Sequence, residues 1–197
     1  MACNPGVPFR IMYKEGAKPI DESKPSIIIA NHSSVLDLLG IMVLHTKVAI
    51  ITKDWVAHNI LFGDIARAFD IIPASCGIED MLPAVRERVE QGFSIVILPE
   101  GTRSLTGELQ RLHRGAFYLA EQLTLPIQPV LIRGTFQTLS KVRVKIGKPA
   151  SMDFIVLPQI TPVDKRFGDG FRERTRNVAH YYYEHLDMFA YPYSSKD

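Results

Sequence analysis

His32 and Asp37, with four residues between them, stand directly after the run Ile27-Ile28-Ile29-Ala30. Imidazole is the side chain best suited to take up a proton near neutral pH. A carboxylate bonded to its other ring nitrogen fixes the tautomer and stabilises the imidazolium that forms. Such a pair can activate a hydroxyl, either one of the protein's own or one on a bound substrate. The separation alone does not decide, because Asn31 or Ser33 could equally cap a helix and leave His32 an ordinary polar residue at a strand end.

A second stretch repeats the pattern. "ILPEGTRS", 97–104, again puts polar groups immediately after an apolar run. In a parallel α/β sheet the loops at the carboxyl ends of strands converge on one crevice, so two such loops are expected to share it. Gly101 would let backbone N–H groups come close to a ligand. Arg103 offers a planar fork suited to phosphate or carboxylate, and Thr102 and Ser104 add hydroxyls. Glu100 could hold Arg103 or accept from a substrate hydroxyl. The glycine-lysine-serine/threonine pattern of a P-loop is missing.

The elements that must carry these loops alternate in the rhythm of an α/β fold. Strands are predicted at Val7–Tyr13, Ser26–Ala30, Val48–Ile51, Ile71–Pro73, Ser94–Leu98 and Ile127–Arg133, with a final alternating strand at Val142–Ile146. Pro129 predicts that 127–133 is an edge strand or carries a bulge. Helical spacing predicts helices over 37–44, 79–91, 114–122 and 171–188. A bent amphipathic segment is predicted over 54–69, where Trp55, Ile60, Leu61 and Phe62 pack on the core or form a membrane-facing patch.

At 197 residues, 46% hydrophobic and 22% charged, the chain is most simply one globular domain spanning 1–197, or one domain of a longer polypeptide. The net charge of +2 gives no case for nucleic acid. Residues 141–176 hold nine Lys/Arg against four Asp/Glu, a local excess of +5 that could meet an anionic surface or form a solvated face. Two cysteines, Cys3 and Cys76, make neither a disulfide framework nor a metal spacing, which suits a cytoplasmic setting. No run of about 18–20 apolar residues is present to span a bilayer, so any work on lipid would be done from the membrane surface. His45, His58, His113, His180 and His185 lack a partner at a mechanistic spacing and are expected to be scattered surface residues.

Four stretches together resemble the ordered blocks of the glycerolipid acyltransferases, and in pattern the 1-acyl-glycerol-3-phosphate acyltransferases. They are "NHSSVLD" at 31–37, "FG" at 62–63, "LPEGTRS" at 98–104 and "LPIQPV" at 125–130; "RLHRGAFYLA" at 111–120 resembles the basic-Gly-Ala-Phe segment after the third block. The resemblance covers about residues 7–150. It implies an α/β fold with a mixed, largely parallel central sheet flanked by helices. It also implies acyl transfer from acyl-CoA or acyl-carrier protein to a hydroxyl of a lysophospholipid-like or other lipid acceptor. His32 would be the general base and Asp37 its orienting partner. Gly101, Thr102 and Arg103 would hold the acceptor's anionic head beside Asn31, with Glu100 shaping that pocket and Arg114 a second cation. No cofactor or metal is implied.

The sequence departs from the family in one place that matters for substrate. The second block ordinarily closes in Asp-Arg, whereas "FDIIPASCG", 69–77, has no basic residue and Arg67 lies out of register. The acceptor is therefore left open between a phosphorylated lipid and a non-phosphorylated alcohol. A thioesterase, with water in place of the alcohol, and a non-catalytic acyl- or carrier-protein-binding module are the competing functions.

Overall fold

The unbroken apolar run Ile27–Ala30 has no polar face to offer water, so it must be covered on both sides. In the computed structural model, which describes residues 9–53, 70–74, 77–139 and 151–187, all four residues are buried at the centre of a seven-stranded sheet. The strands are β1 Phe9–Tyr13, β2 Ile27–Ala30, β3 Val48–Thr52, β4 Asp70–Pro73, β5 Ser94–Ile97, β6 Ile127–Arg133 and β7 Met152–Val156. Their spatial order is β1-β7-β6-β2-β5-β3-β4. Neighbours are parallel throughout except at β6–β7. The expected mixed, largely parallel α/β architecture is therefore the one observed.

Side chains of period two divide the core between the faces. Ile27, Ile29, Ile95, Ile127 and Leu131 pack with Val85 of α2 (Ile78–Glu90), Phe117 of α3 (Gly115–Gln122) and Val178 of the long helix Phe171–Asp187. Ile28, Ala30, Val96, Val130 and Phe154 pack on the other face with Ile41 of α1 (Leu36–Leu44). The close approach of α1 depends on Gly40, since a Cβ there would lie 1.9 Å from Cζ of Phe154. Helix Phe171–Asp187, called α4 below, closes the first face. A one-turn helix, Thr135–Thr138, follows β6. No helix among the described residues is long and apolar enough to cross a membrane.

The expectation for β6 needs correcting in part. It is not an edge, since it lies between β2 and β7, but the antiparallel pairing does slip by one residue beside Pro129, from Leu157 opposite Pro129 to Ile160 opposite Ile127. Leu157 N–H donates to the Pro129 carbonyl at 3.0 Å, but the reciprocal bond to the Leu157 carbonyl would need the N–H that proline lacks. Gln128 Nε2 takes its place, donating to that carbonyl at 2.8 Å. A neighbouring amide side chain thus repairs the ladder, which is why a proline is tolerated inside the sheet.

A strand over 152–156 was not anticipated from the sequence. It pairs antiparallel with β6, and Arg10 of β1 grips its Asp153 through two bonds of 2.7 and 2.9 Å. The segments 54–69 and 142–146, the second-block "FG" and both cysteines lie outside the described residues. Within the basic stretch, Lys165, Arg166 and Arg176 are each paired with an acidic neighbour. Arg174 is buried and donates to the carbonyls of Thr161 and Gly168. These residues are largely neutralised in place.

Replacing Gln128 with leucine keeps the volume but strands the Leu157 carbonyl. Stability should fall by about 1–3 kcal/mol, seen as a lower urea midpoint at unchanged m-value.

Candidate active site

β2 and β5 are adjacent and parallel, with Ile27 opposite Ile95 and Ile29 opposite Ile97. Both polar loops therefore leave the sheet at the same end, as the crevice rule for such sheets requires. They are joined through the backbone of His32. Its N–H donates to Glu100 Oε1 at 2.6 Å, and its carbonyl accepts from Ser104 N at 2.8 Å.

The His32 side chain meets Asp37 at 3.0 Å, Nδ1 to Oδ2. The same oxygen accepts from the N–H groups of Ser33 at 2.7 Å and Ser34 at 2.8 Å. This explains the spacing: the chain from 32 to 36 wraps round one carboxylate oxygen, and His32 closes the loop. Asp37 is fully buried in the first turn of α1, where the helix dipole favours negative charge. A carboxylate accepts only, so Nδ1 carries the hydrogen and the lone pair stands on Nε2. Oδ1 of Asp37 has no hydrogen-bond partner among the described residues. The loop is held from behind by Ser33 Oγ to Thr135 Oγ1 at 3.1 Å and by the Ser34 hydroxyl on the Leu139 carbonyl.

A cleft of about 410 Å³ opens beside His32. Val35, Leu38, Ile50, Ile51 and Ile97 make its wall apolar, while Gly101, Thr102, Arg103 and His113 line its polar part. Arg103 is half-buried, and no described acidic residue pairs with it. The arrangement offers an imidazole base, an apolar channel and a guanidinium in one crevice.

The other expected site residues fall in different places. Glu100 does not hold Arg103. It is buried, and its Oε2 accepts from Gln110 N at 2.9 Å and Gln110 Nε2 at 3.2 Å. Burial pushes the Glu100 carboxyl up to about 7, against the pull of the N–H groups of His32 and Gln110. Asn31, expected beside the acceptor, instead pairs its side chain with the Ile132 backbone: Nδ2 donates to the carbonyl at 2.9 Å and Oδ1 accepts from the N–H at 2.8 Å. Gly101 gives its N–H to the Leu98 carbonyl at 3.0 Å. What glycine supplies there is a φ of +68° and room for the His113 ring, whose Cδ2 would lie 3.4 Å from an added Cβ. Arg114 is exposed at the start of α3 and is not among the residues lining the cleft.

His45 departs from the expected surface role, while His113 is exposed as expected but also lines the cleft. His113 reaches the cleft because its N–H donates to the Pro99 carbonyl at 2.7 Å, which folds 111–114 back over the third-block loop. Nothing in local spacing announces this. His45 is fully buried. Its Nδ1 accepts from Lys47 N at 3.2 Å, so Nε2 donates to Ser94 Oγ at 3.1 Å, and burial lowers its pKa. Gln110 was also missed, although it organises the loop by bonding both Glu100 and the Thr102 carbonyl at 2.9 Å.

The α/β sheet thus carries a His–Asp pair and an arginine loop at the ends of adjacent central strands. The acyltransferase family model matches residues 12–133, and the chain belongs to this family, the glycerolipid acyltransferases. It is 30% identical over 159 residues to 1-acyl-sn-glycerol-3-phosphate acyltransferase alpha of Mus musculus, covering 74% of this chain and 53% of that protein. It is 34% identical over 131 residues to the 1-acyl-sn-glycerol-3-phosphate acyltransferase of Cocos nucifera, covering 64% and 42%. The chain thus spans about half the length of these relatives. The crystal structure of the 1-acyl-sn-glycerophosphate (LPA) acyltransferase PlsC of Thermotoga maritima shares the fold, with a TM-score of 0.72 at 22% identity, covering 94% of this chain and 74% of that one.

Glu100 gives the fold a pH dependence of definite sign. Its folded-state pKa is raised, so between about 4.5 and 7 the folded protein keeps a proton that the unfolded chain has released. Its stabilising contribution is full below that window and is lost as pH rises through it, by about 3 kcal/mol in all. Urea unfolding of the wild type and Glu100→Gln at pH 5 and pH 8 should show the variant losing less stability across this range.

Proposed function

We propose that the chain is an O-acyltransferase that moves a fatty acyl group from an acyl-CoA or acyl-carrier-protein thioester to the hydroxyl of a lysophospholipid-type acceptor. The observation that carries this reading is the 3.0 Å contact of His32 Nδ1 with buried Asp37, made at the edge of an apolar-walled cleft that also holds Arg103. Nε2 takes the proton of the acceptor hydroxyl as its oxygen attacks the thioester carbonyl. An alcohol is a poor nucleophile, and removing its proton during attack lowers the barrier. Asp37 stabilises the imidazolium that results. When the tetrahedral intermediate collapses, the carbon–sulfur bond breaks and the Nε2 proton passes to the departing sulfur. An ester and a free thiol are produced, and the imidazole is neutral again. None of these steps calls for a cofactor or metal.

The acceptor class draws on the relatives, whose names specify a 1-acyl-glycerol 3-phosphate, and on Arg103, whose fork fits a phosphate. The second-block stretch brings Ala74 to the cleft and no cation. Arg103 and Lys53 both line the cleft and can meet the anion, with His113 beside Gly101. The acyl chain would lie along Val35, Leu38, Ile50 and Ile97. The protein would work in the cytoplasm, taking its acceptor from the membrane face.

Thiol release from acyl-CoA and from acyl-carrier protein, with phosphorylated and non-phosphorylated acceptors, tests the reading. Turnover should require an acceptor, and His32→Ala should lower kcat by about 10²- to 10⁴-fold. Arg103→Ala should raise KM for phosphorylated acceptors by about tenfold or more while leaving the donor KM unchanged. Normal turnover in His32→Ala would remove the dyad from the mechanism. Thiol release that no acceptor accelerates would reassign the site to hydrolysis.

A further inference from the structure

The cleft beside His32 straddles the end of the sheet. Ile50 and Ile51 are neighbours in β3, and side chains of a strand alternate between faces, yet both line it. Ile50 packs on the face covered by α1, where Leu38 of that helix and Val35 just before it complete one apolar wall. Ile51 packs on the face covered by α2 and α3, where Ala74, after β4, and Ala116, in the first turn of α3, make a second. Ile97, opposite Ile29 and so next to the end of β2, stands where the two walls meet. The loop that carries Arg103 goes with the second wall. Its Leu109 and Leu112 are buried in the core on the α2 and α3 side, and it runs directly into Gly115 and Ala116.

From this geometry we infer that the two walls serve two different chains. The donor's acyl chain keeps to Val35, Leu38 and Ile50, and the acceptor's own acyl chain lies along Ile51, Ala74 and Ala116. The inference rests on the acyl-transfer reading and narrows its acceptor to a lipid that already carries one chain. The new ester bond forms only when thioester carbonyl and acceptor hydroxyl are held together at His32, so both molecules occupy the cleft at once, and two chains call for two apolar surfaces. An acceptor whose anion sits at Arg103 has the second wall on its own side of the sheet. Ala74 and Ala116 are small residues at lining positions where larger ones would reduce the cleft, which makes them specificity-determining for the acceptor.

Ala74→Phe narrows the second wall and Leu38→Phe the first, with Ala74→Leu as the milder change should the former fold poorly. The readouts are kcat/KM ratios of long over short chain, taken separately for donor and acceptor, which a general loss of activity does not move. Ala74→Phe should lower the ratio of a hexadecanoyl to a hexanoyl monoacylglycerol phosphate by about tenfold or more, and keep the ratio of the matching acyl-CoA donors within about twofold of wild type. Leu38→Phe should do the reverse. The wild type should use the hexadecanoyl acceptor better than glycerol phosphate, which has no chain. A fall in the donor ratio of the Ala74 variants overturns the assignment, as does an unmoved acceptor ratio or equal use of glycerol phosphate. If no acceptor accelerates thiol release, the transfer reading fails, and binding of a fluorescent hexadecanoyl monoacylglycerol phosphate decides alone. Ala74→Phe should then weaken that binding and Leu38→Phe should not; any other result, absence of binding included, overturns the placement.

Discussion

The end of β2 is where the structure is most constrained. Within two residues the chain must leave a fully buried sheet, and its backbone polar groups there still need partners. Side chains supply them in sequence: the Tyr182 hydroxyl at Ile29, the Asn31 amide facing Ile132, Glu100 at His32 N–H, and Asp37 at the N–H groups of Ser33 and Ser34. The imidazole is held at the point where these bonds meet. Its direction follows from how the backbone on either side of it is satisfied.

Two buried carboxylates flank that imidazole and do different things. Asp37 gathers three N–H donors on one oxygen and sits at a helix N-terminus, so its charge is supported where the ring needs it. Glu100 faces the backbone, and for it burial outweighs the N–H groups it collects. One acid orients the ring while the other ties the two loops together. Arg103 is engaged by neither and lines the cleft.

The parts legible from sequence were those written in local pattern. Helices 78–90 and 171–187 and strands β2, β3 and β5 follow from apolar periodicity, and the two polar loops after β2 and β5 announced a shared crevice. What stayed hidden depended on contacts distant in sequence. Pro129 reads as an edge signal until Gln128 is seen filling its missing bond. Asn31 and Glu100 read as ligand-facing because their types suit it, yet their partners lie 101 and 68 residues away in the backbone. His113 enters the cleft only through a fold-back onto Pro99. The strand at 152–156 follows Gly147, Pro149 and Ser151, but its short buried run does not alternate and shows itself through its pairing with β6.

The antiparallel pairing of β6 with β7 divides the molecule into two ends. β1 and β7 run against the other five strands, so the loops that follow them, including 158–170, open at the end of the sheet opposite the cleft. That far end is the natural handle for the protein: a tether or fluorescent label fixed there would leave the cleft mouth pointing freely into solution or toward a vesicle.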